Sequence, residues 1–323
     1  MATYKGIQGS SIKSLTSDPA ASEGVGQLWY NTDSGKFKYS IEGAAAWASG
    51  GSLNNGVDFC GYCGIQTAAM QFGGRSPSTS GITDCETYDG TTWAETADLL
   101  GPTHFNAGFG TTTAAISAGG EPPPNTTAAD TWNGTSWAAS NALNTGRQQF
   151  HGVGTTLAGL VAAPSNTETY DGTSFTEVAD LNTAAPGKMI AGTSVAALAA
   201  GGGPGSGAGK TEKWDGTSWT ELTNLNTVRA NPGGGGATDT AALVFAGATT
   251  PSETLTAKTE KWDGTSWTET ADLATAREGP GSGQAGPSSV SLCFGGTNPP
   301  STKITNTEEW NDPVYTIKTV TTS

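Results

Sequence analysis

Charge is scarce in this chain of 323 residues: Asp, Glu, Lys and Arg together make up 14%, against roughly 25% in ordinary soluble domains. Only 15 residues are Lys or Arg, no run of them occurs, and the net charge is −14. Sequence-independent phosphate binding, which needs concentrated positive charge, is disfavoured, and no nucleic-acid partner is expected. Apolar runs are equally short. The stretch from Val195 to Ala200 is among the longest, whereas a membrane-spanning helix takes roughly 20 residues, so no membrane insertion is expected. Met1 to Gly6 contain no apolar signal core, so export by a signal peptide is not expected. Four cysteines, Cys60, Cys63, Cys85 and Cys293, are too few to hold together a disulfide-built scaffold of this length. The two histidines, His104 and His151, have no carboxylate or second ligand at a spacing that suggests a triad or a metal site.

Glycine is abundant, with 47 residues at about twice the usual share, and it recurs in a pattern. Five near-copies of one phrase run through the chain: Tyr88-Asp-Gly-Thr-Thr-Trp93, Trp132-Asn-Gly-Thr-Ser-Trp137, Tyr170-Asp-Gly-Thr-Ser-Phe175, Trp214-Asp-Gly-Thr-Ser-Trp219 and Trp262-Asp-Gly-Thr-Ser-Trp267. A degenerate sixth is Trp310-Asn-Asp-Pro-Val-Tyr315. Taking residues 89, 133, 171, 215, 263 and 311 as markers, the period is 38 to 48 residues, the length of a supersecondary unit. Asp-Gly or Asn-Gly between aromatic and Thr residues reads as a β-hairpin whose turn needs positive φ. With Gly216 and Thr217 as the turn pair, Trp214 faces Trp219 across the ladder.

Before each hairpin lies a more apolar strand ending in glycine, as in Thr67-Ala-Ala-Met-Gln-Phe-Gly-Gly74 or Val290-Ser-Leu-Cys-Phe-Gly-Gly296; the third copy, Leu157 to Pro164, loses the pair. Upstream again is a small-residue segment such as Ala107-Gly-Phe-Gly110. Four short strands per repeat, with the smallest residues innermost, predict blades crowded around an axis: an all-β propeller, which removes exposed sheet edges by radial repetition. No helix longer than about two turns is expected.

The glycine pair, the aromatic-Asp-Gly turn, the following Trp, and linkers such as Leu225-Asn-Thr-Val-Arg229 and Leu273-Ala-Thr-Ala-Arg277 resemble kelch repeats, which form propeller blades. The wording of the repeats also resembles kelch-like virion proteins of tailed, especially marine, bacteriophages. Gly26-Gln-Leu-Trp-Tyr-Asn-Thr-Asp-Ser-Gly-Lys-Phe-Lys38 is similar to segments of phage fibre and tail proteins. Residues 52–323 read as six kelch-like four-stranded repeats. Residues 1–51 read as a partial blade or an attachment arm. Phe37 to Trp47 align with a third strand, turn and outer strand, Gln27 to Asn31 with a second strand and Ser11 to Ser17 with an inner one. Counted so, the propeller has seven blades; the alternative is six blades plus an N-terminal arm.

Side chains with chemical potential have plainer readings. Cys60-Gly-Tyr-Cys63 is a lone C-x-x-C on a crowded inner strand, where Cys acts as a small hydrophobe; Cys85 and Cys293 fall on later strands and read as buried and reduced. The repeated Asp89, Asp171, Asp215 and Asp263 sit one per blade, so they read as turn formers rather than the several oxygens calcium needs at one place. The tryptophans read as packing between neighbouring sheets. Arg147, Arg229 and Arg277 share one repeat position, filled elsewhere by Val57, Thr103 and Ala185, and read as structural ties between blades. No catalytic, metal or cofactor-binding residue is assigned.

Length variation falls mainly after the glycine strand, in loops that share a face with the inter-blade linkers. Binding residues tend to lie on variable loops over a rigid scaffold. The candidate contact residues are Arg75, Ser78, Glu121, Asn125, Pro204, Thr250, Glu253 and Asn298. The resemblance implies a non-enzymatic phage virion structural protein, a surface appendage or tail-associated propeller for assembly and host-surface adhesion, located in the virion. Its partners would be other virion proteins and a host-surface glycan or protein, with self-association left open and residues 1–51 docking onto the particle. The alternative is a cellular kelch-type protein-interaction scaffold. An enzyme of the galactose-oxidase or sialidase type is a third reading, and two unmatched histidines do not supply the copper constellation of the first.

Overall fold

The repeat dictates short strands, and the structure, a computed structural model, is built of them: among the described residues every regular element is a β-strand. Residues 12–121, 125–162, 164–203, 205, 207–249 and 254–321 are described. The chain divides into two compact units, Trp47–Asn311 and a smaller one made of Met1–Ala46 with Asp312–Ser323.

The larger unit is a propeller of six four-stranded blades. The first runs from inside to outside as Gly61–Ile65, Ala68–Phe72, Cys85–Tyr88 and Trp93–Thr96. The inner strands of the next blades begin at Ala107, His151, Met189, Gly233 and Gly281. Each inner strand neighbours the next, and that of the sixth blade neighbours that of the first, so the ring closes. Small residues belong there: a Cβ on Gly108 would come within 2.3 Å of the Tyr62 carbonyl oxygen of the adjacent blade.

Ring closure corrects the reading of the N-terminal segment. Phe37 to Trp47 do not form part of one blade. Lys36–Glu42 lies in the sheet of the smaller unit, whereas Ala46–Ser49 is the outermost strand of the sixth blade. That blade takes its inner three strands from the end of the repeat region, Gly281–Ser282, Val290–Phe294 and Thr307–Asn311. Trp310 to Tyr315 accordingly form no closing hairpin. Sewing the ring shut with a strand from the other end of the sequence exchanges one covalent hairpin for hydrogen bonds and buried area.

The smaller unit holds the seventh four-stranded sheet, ordered Lys13–Leu15, Leu28–Asn31, Lys36–Glu42, Tyr315–Thr319. Lys13–Leu15 runs parallel to Leu28–Asn31, unlike any pair within the six blades. On one face Trp29, Asn31 and Ser40 are buried. Asp18 gathers that face by accepting hydrogen bonds from Trp29 Nε1 (3.1 Å), Asn31 Nδ2 (2.7 Å) and Lys38 Nζ (2.6 Å).

Candidate functional site at the mouth of the propeller axis

The hairpin turns behave as their composition requires. Asp215 Oδ1 accepts the N–H groups of Thr217 (2.8 Å) and Ser218 (2.9 Å), Gly216 has φ +93°, and Trp214 pairs with Trp219 at a ring separation of 5.4 Å. Asp89, Asp171 and Asp263 make the same bonds, and these backbone donors hold their carboxyls below the ordinary range. The tryptophans lie between blades. Trp267 Nε1 donates to Thr211 Oγ1 of the preceding blade at 2.9 Å, as Trp93 does to Thr307, Trp219 to Thr167 and Trp47 to Thr259.

On the opposite face the linkers meet the glycine strands. Arg229 Nη2 reaches Glu260 Oε1 at 2.7 Å with both side chains fully buried, and its Nη1 bonds the carbonyls of Ala246 and Lys258. Arg147 pairs with Glu168 and Arg277 with Glu308 in the same way. The carbonyl of each Arg accepts from a glycine of the preceding blade: Gly120 to Arg147, Gly202 to Arg229, Gly247 to Arg277. One residue therefore holds its own blade by its side chain and the previous blade by its backbone. Where Ala185 replaces Arg, the buried Lys188 lies 3.6 Å from Glu212. Burial lowers its pKa, and Glu212 opposes that shift.

Next to these ties, one residue in each blade adopts positive φ: Phe59, Phe105, Gln149, Gly187, Asn231 and Gly279, at 48° to 68°. Their peptides join head to tail around the axis. Phe105 N–H donates to the Phe59 carbonyl (2.8 Å), Gln149 to Phe105 (3.0 Å), Gly187 to Gln149 (2.6 Å), Gly279 to Asn231 (3.0 Å) and Phe59 to Gly279 (2.9 Å). Five of the six steps of a backbone circlet are thus made among the described residues. The cavity at this mouth has a volume of about 20 Å³, space for one water. Within the channel, Gln284 Nε2 donates to the carbonyls of Tyr62 (3.2 Å) and Gly108 (2.7 Å), and His151 Nδ1 donates to the Lys188 carbonyl (2.5 Å). Burial pushes the His151 pKa down to about 4.

Holding a bulky residue at positive φ costs on the order of 1–3 kcal/mol, yet two phenylalanines do so side by side, ring centroids 4.5 Å apart. The Arg75 guanidinium lies 4.5 Å from the Phe59 ring centre and 5.2 Å from that of Phe105. It is held flat by two bonds to the buried Asp58, Nε to Oδ1 (2.9 Å) and Nη2 to Oδ2 (2.8 Å). In the next blade the equivalent pair is His104 Nε2 with Glu121 Oε2 at 2.9 Å. Burial lowers the His104 pKa, Arg75 adds to that, and Glu121 acts against it.

Of the candidate contact residues, Arg75 and Glu121 thus converge on the axis mouth. Ser78 stays on an exposed loop, where its N–H reaches Ser76 Oγ, and Asn125 is exposed farther along the loop that follows Glu121. Asn298 is half-buried in a two-residue ribbon pairing Thr297–Asn298 with Thr302–Lys303. Pro204, Thr250 and Glu253 lie outside the described residues. The sequence reading missed Phe59, Phe105, Gln149 and Asn231, although they recur at the repeat spacing, and it missed the carboxylate partner of His104, which lies in a different strand segment. All four cysteines are free and buried, and burial raises the pKa of Cys85 and of Cys293 to about 12. Such thiols are poor nucleophiles.

No family model matches the chain, and no curated protein does. Among solved structures, one titled "Structure of YjhT" is similar with a TM-score of 0.67 and 11% identity, covering 82% of this chain and 99% of that one. At that identity the likeness shows the fold, an all-β propeller.

Proposed function

We propose that the chain is a non-enzymatic structural and adhesion subunit that meets its partners with the loop-bearing face of the propeller. The observation that carries this reading is the narrow axis on the loop-bearing face. There the backbone circlet leaves a cavity of only about 20 Å³, while the hollow of about 170 Å³ beside Gln284 lies at the far ends of the inner strands, between Gly110, Gly154 and Gly192. Recognition on the loop-bearing face therefore falls to the half-buried Arg75, Phe59 and Phe105 stack, to Glu121 beside the buried His104, and to the loops around them. A stacked guanidinium on two rings is a rigid, amphipathic surface suited to contact with another macromolecule.

Joined to the sequence resemblance, this reading makes the protein a virion appendage of a tailed phage, with other virion proteins and a host-surface glycan or protein as partners. A cellular interaction scaffold would use the same face. Mass spectrometry of purified particles separates the two, with structural copy number expected for the first. Binding is then tested with Arg75→Ala and Phe105→Ala against changes in the Asp-Gly-Thr turns. Loss of partner binding with the first pair alone is expected. Loss with the turn variants alone would assign function to the other face, and substrate turnover abolished by His104→Ala would replace the reading with an enzymatic one.

A further inference from the structure

Among the described residues, the smaller unit leaves one sheet face uncovered. Strand register places Leu28 opposite Tyr39, Tyr30 opposite Phe37 and Ile41 opposite Thr316, all pointing away from Asp18. On this face Ile12, Leu28, Phe37, Tyr39, Ile41 and Val320 are each 37 to 46% exposed. A groove of about 610 Å³ runs between Ile12, Leu28, Phe37, Tyr39 and Val320. An antiparallel face exposed to water ordinarily alternates to polar residues, and a contiguous apolar patch of this kind marks an interface.

We propose that this face binds the same face of a second copy of the chain. The charge distribution supports that occupant. Lys5, Lys13, Lys36, Lys38 and Lys318 balance Asp18, Glu23, Asp33, Glu42 and Asp312, so the smaller unit is neutral and the whole −14 belongs to the propeller. Two copies can meet through this unit without the repulsion that any contact between propellers would bring. A twofold contact sets one face against itself. It holds both a groove and, beyond the groove's end, the projecting Ile41. Among the described residues of these strands, Lys318, opposite Tyr39, alone brings charge to it. Four strands about 4.8 Å apart and five residues long present roughly 300 Å² in projection, less than the usual interface of about 800 Å² per partner, so the association is reversible. This inference is independent of the function proposed for the propeller face.

The test is sedimentation equilibrium of the full chain from about 1 to about 100 µM. A monomer–dimer equilibrium is expected, with Phe37→Asp and Ile41→Asp weakening it at least about tenfold. Because either substitution can disturb the small sheet, a second measurement uses Thr316→Cys, on the exposed face, in a chain whose own cysteines are all buried. Oxidation should give a disulfide-linked dimer. A chain that stays monomeric throughout, an equilibrium indifferent to both Asp variants, or failure of Thr316→Cys to cross-link overturns the proposal.

Discussion

The two units use opposite means of holding a β-sheet. In Trp47–Asn311 every blade is flanked on both sides by its neighbours, so the same solution is repeated six times and each copy is checked by the next. In the smaller unit one face is gathered by a single carboxylate, Asp18, and the other is open among the described residues. Repetition also exposes how local losses are matched. Blade three carries Phe175 where other blades carry Trp, and the strand it would donate to begins with Ala129 where others begin with Thr. Donor and acceptor are missing together. In blade one Cys85 takes the Thr place, and Trp137 of the next blade packs against it in one cluster. The lesson is that in the propeller the unit of stability is the junction between blades, whereas in the smaller unit it is the sheet itself.

That contrast is broken most severely at the junction. Glu260→Ala should cost about 3–5 kcal/mol in urea denaturation, because it leaves the Arg229 guanidinium buried without its carboxylate. A change below about 1 kcal/mol would mean that water reaches the pair. Trp267→Ala should cost a similar amount, about 3–5 kcal/mol, through lost volume and the lost bond to Thr211. Tolerance there would move the tryptophans from packing to surface roles.

The axis gives a pH-dependent version of the comparison. His151 has a native pKa of about 4, below its unfolded value near 6.5. The unfolded chain binds the proton first, so the stability contributed by the neutral ring is complete above about pH 6.5 and is lost as the pH falls toward 4, by on the order of 3 kcal/mol. His151→Gln should flatten the melting temperature of the propeller over that window, and an unchanged profile would place the titration elsewhere. The smallest effect is a gain. Cys85→Thr restores the acceptor that other blades supply and should stabilise by about 1 kcal/mol, read as a rise in the urea midpoint; no gain would show that Trp137 is already satisfied by the sulfur.

Much of this was legible in the repeat. Aromatic spacing and Asp-Gly turns announced hairpins, small residues marked the inner strands, and the shared position of Arg147, Arg229 and Arg277 announced a tie. Their partners Glu168, Glu260 and Glu308 were not picked out from the sequence, although each follows the Thr of a third strand at the repeat spacing. The axis mouth was not, because Phe59, Phe105, Gln149 and Asn231 share no side-chain chemistry; what they have in common is a backbone conformation and one position per repeat. The circlet arises only when six blades bring those peptides to one axis.

Sequence alone determined the all-β class, the blade as the repeating unit and the chemistry of its turns, since these depend on contacts within some forty residues that local patterns encode. Which strand closes the ring was decided by tertiary structure. Ala46–Ser49 and Tyr315–Thr319 are both plausible outer strands by composition, and only the closed ring, which must pair its last blade with a strand from the far end of the chain, distinguishes them. The uncovered face of Leu28, Phe37 and Tyr39 is a tertiary fact for the same reason: alternation along a strand says that two faces differ, while what covers each is settled by packing.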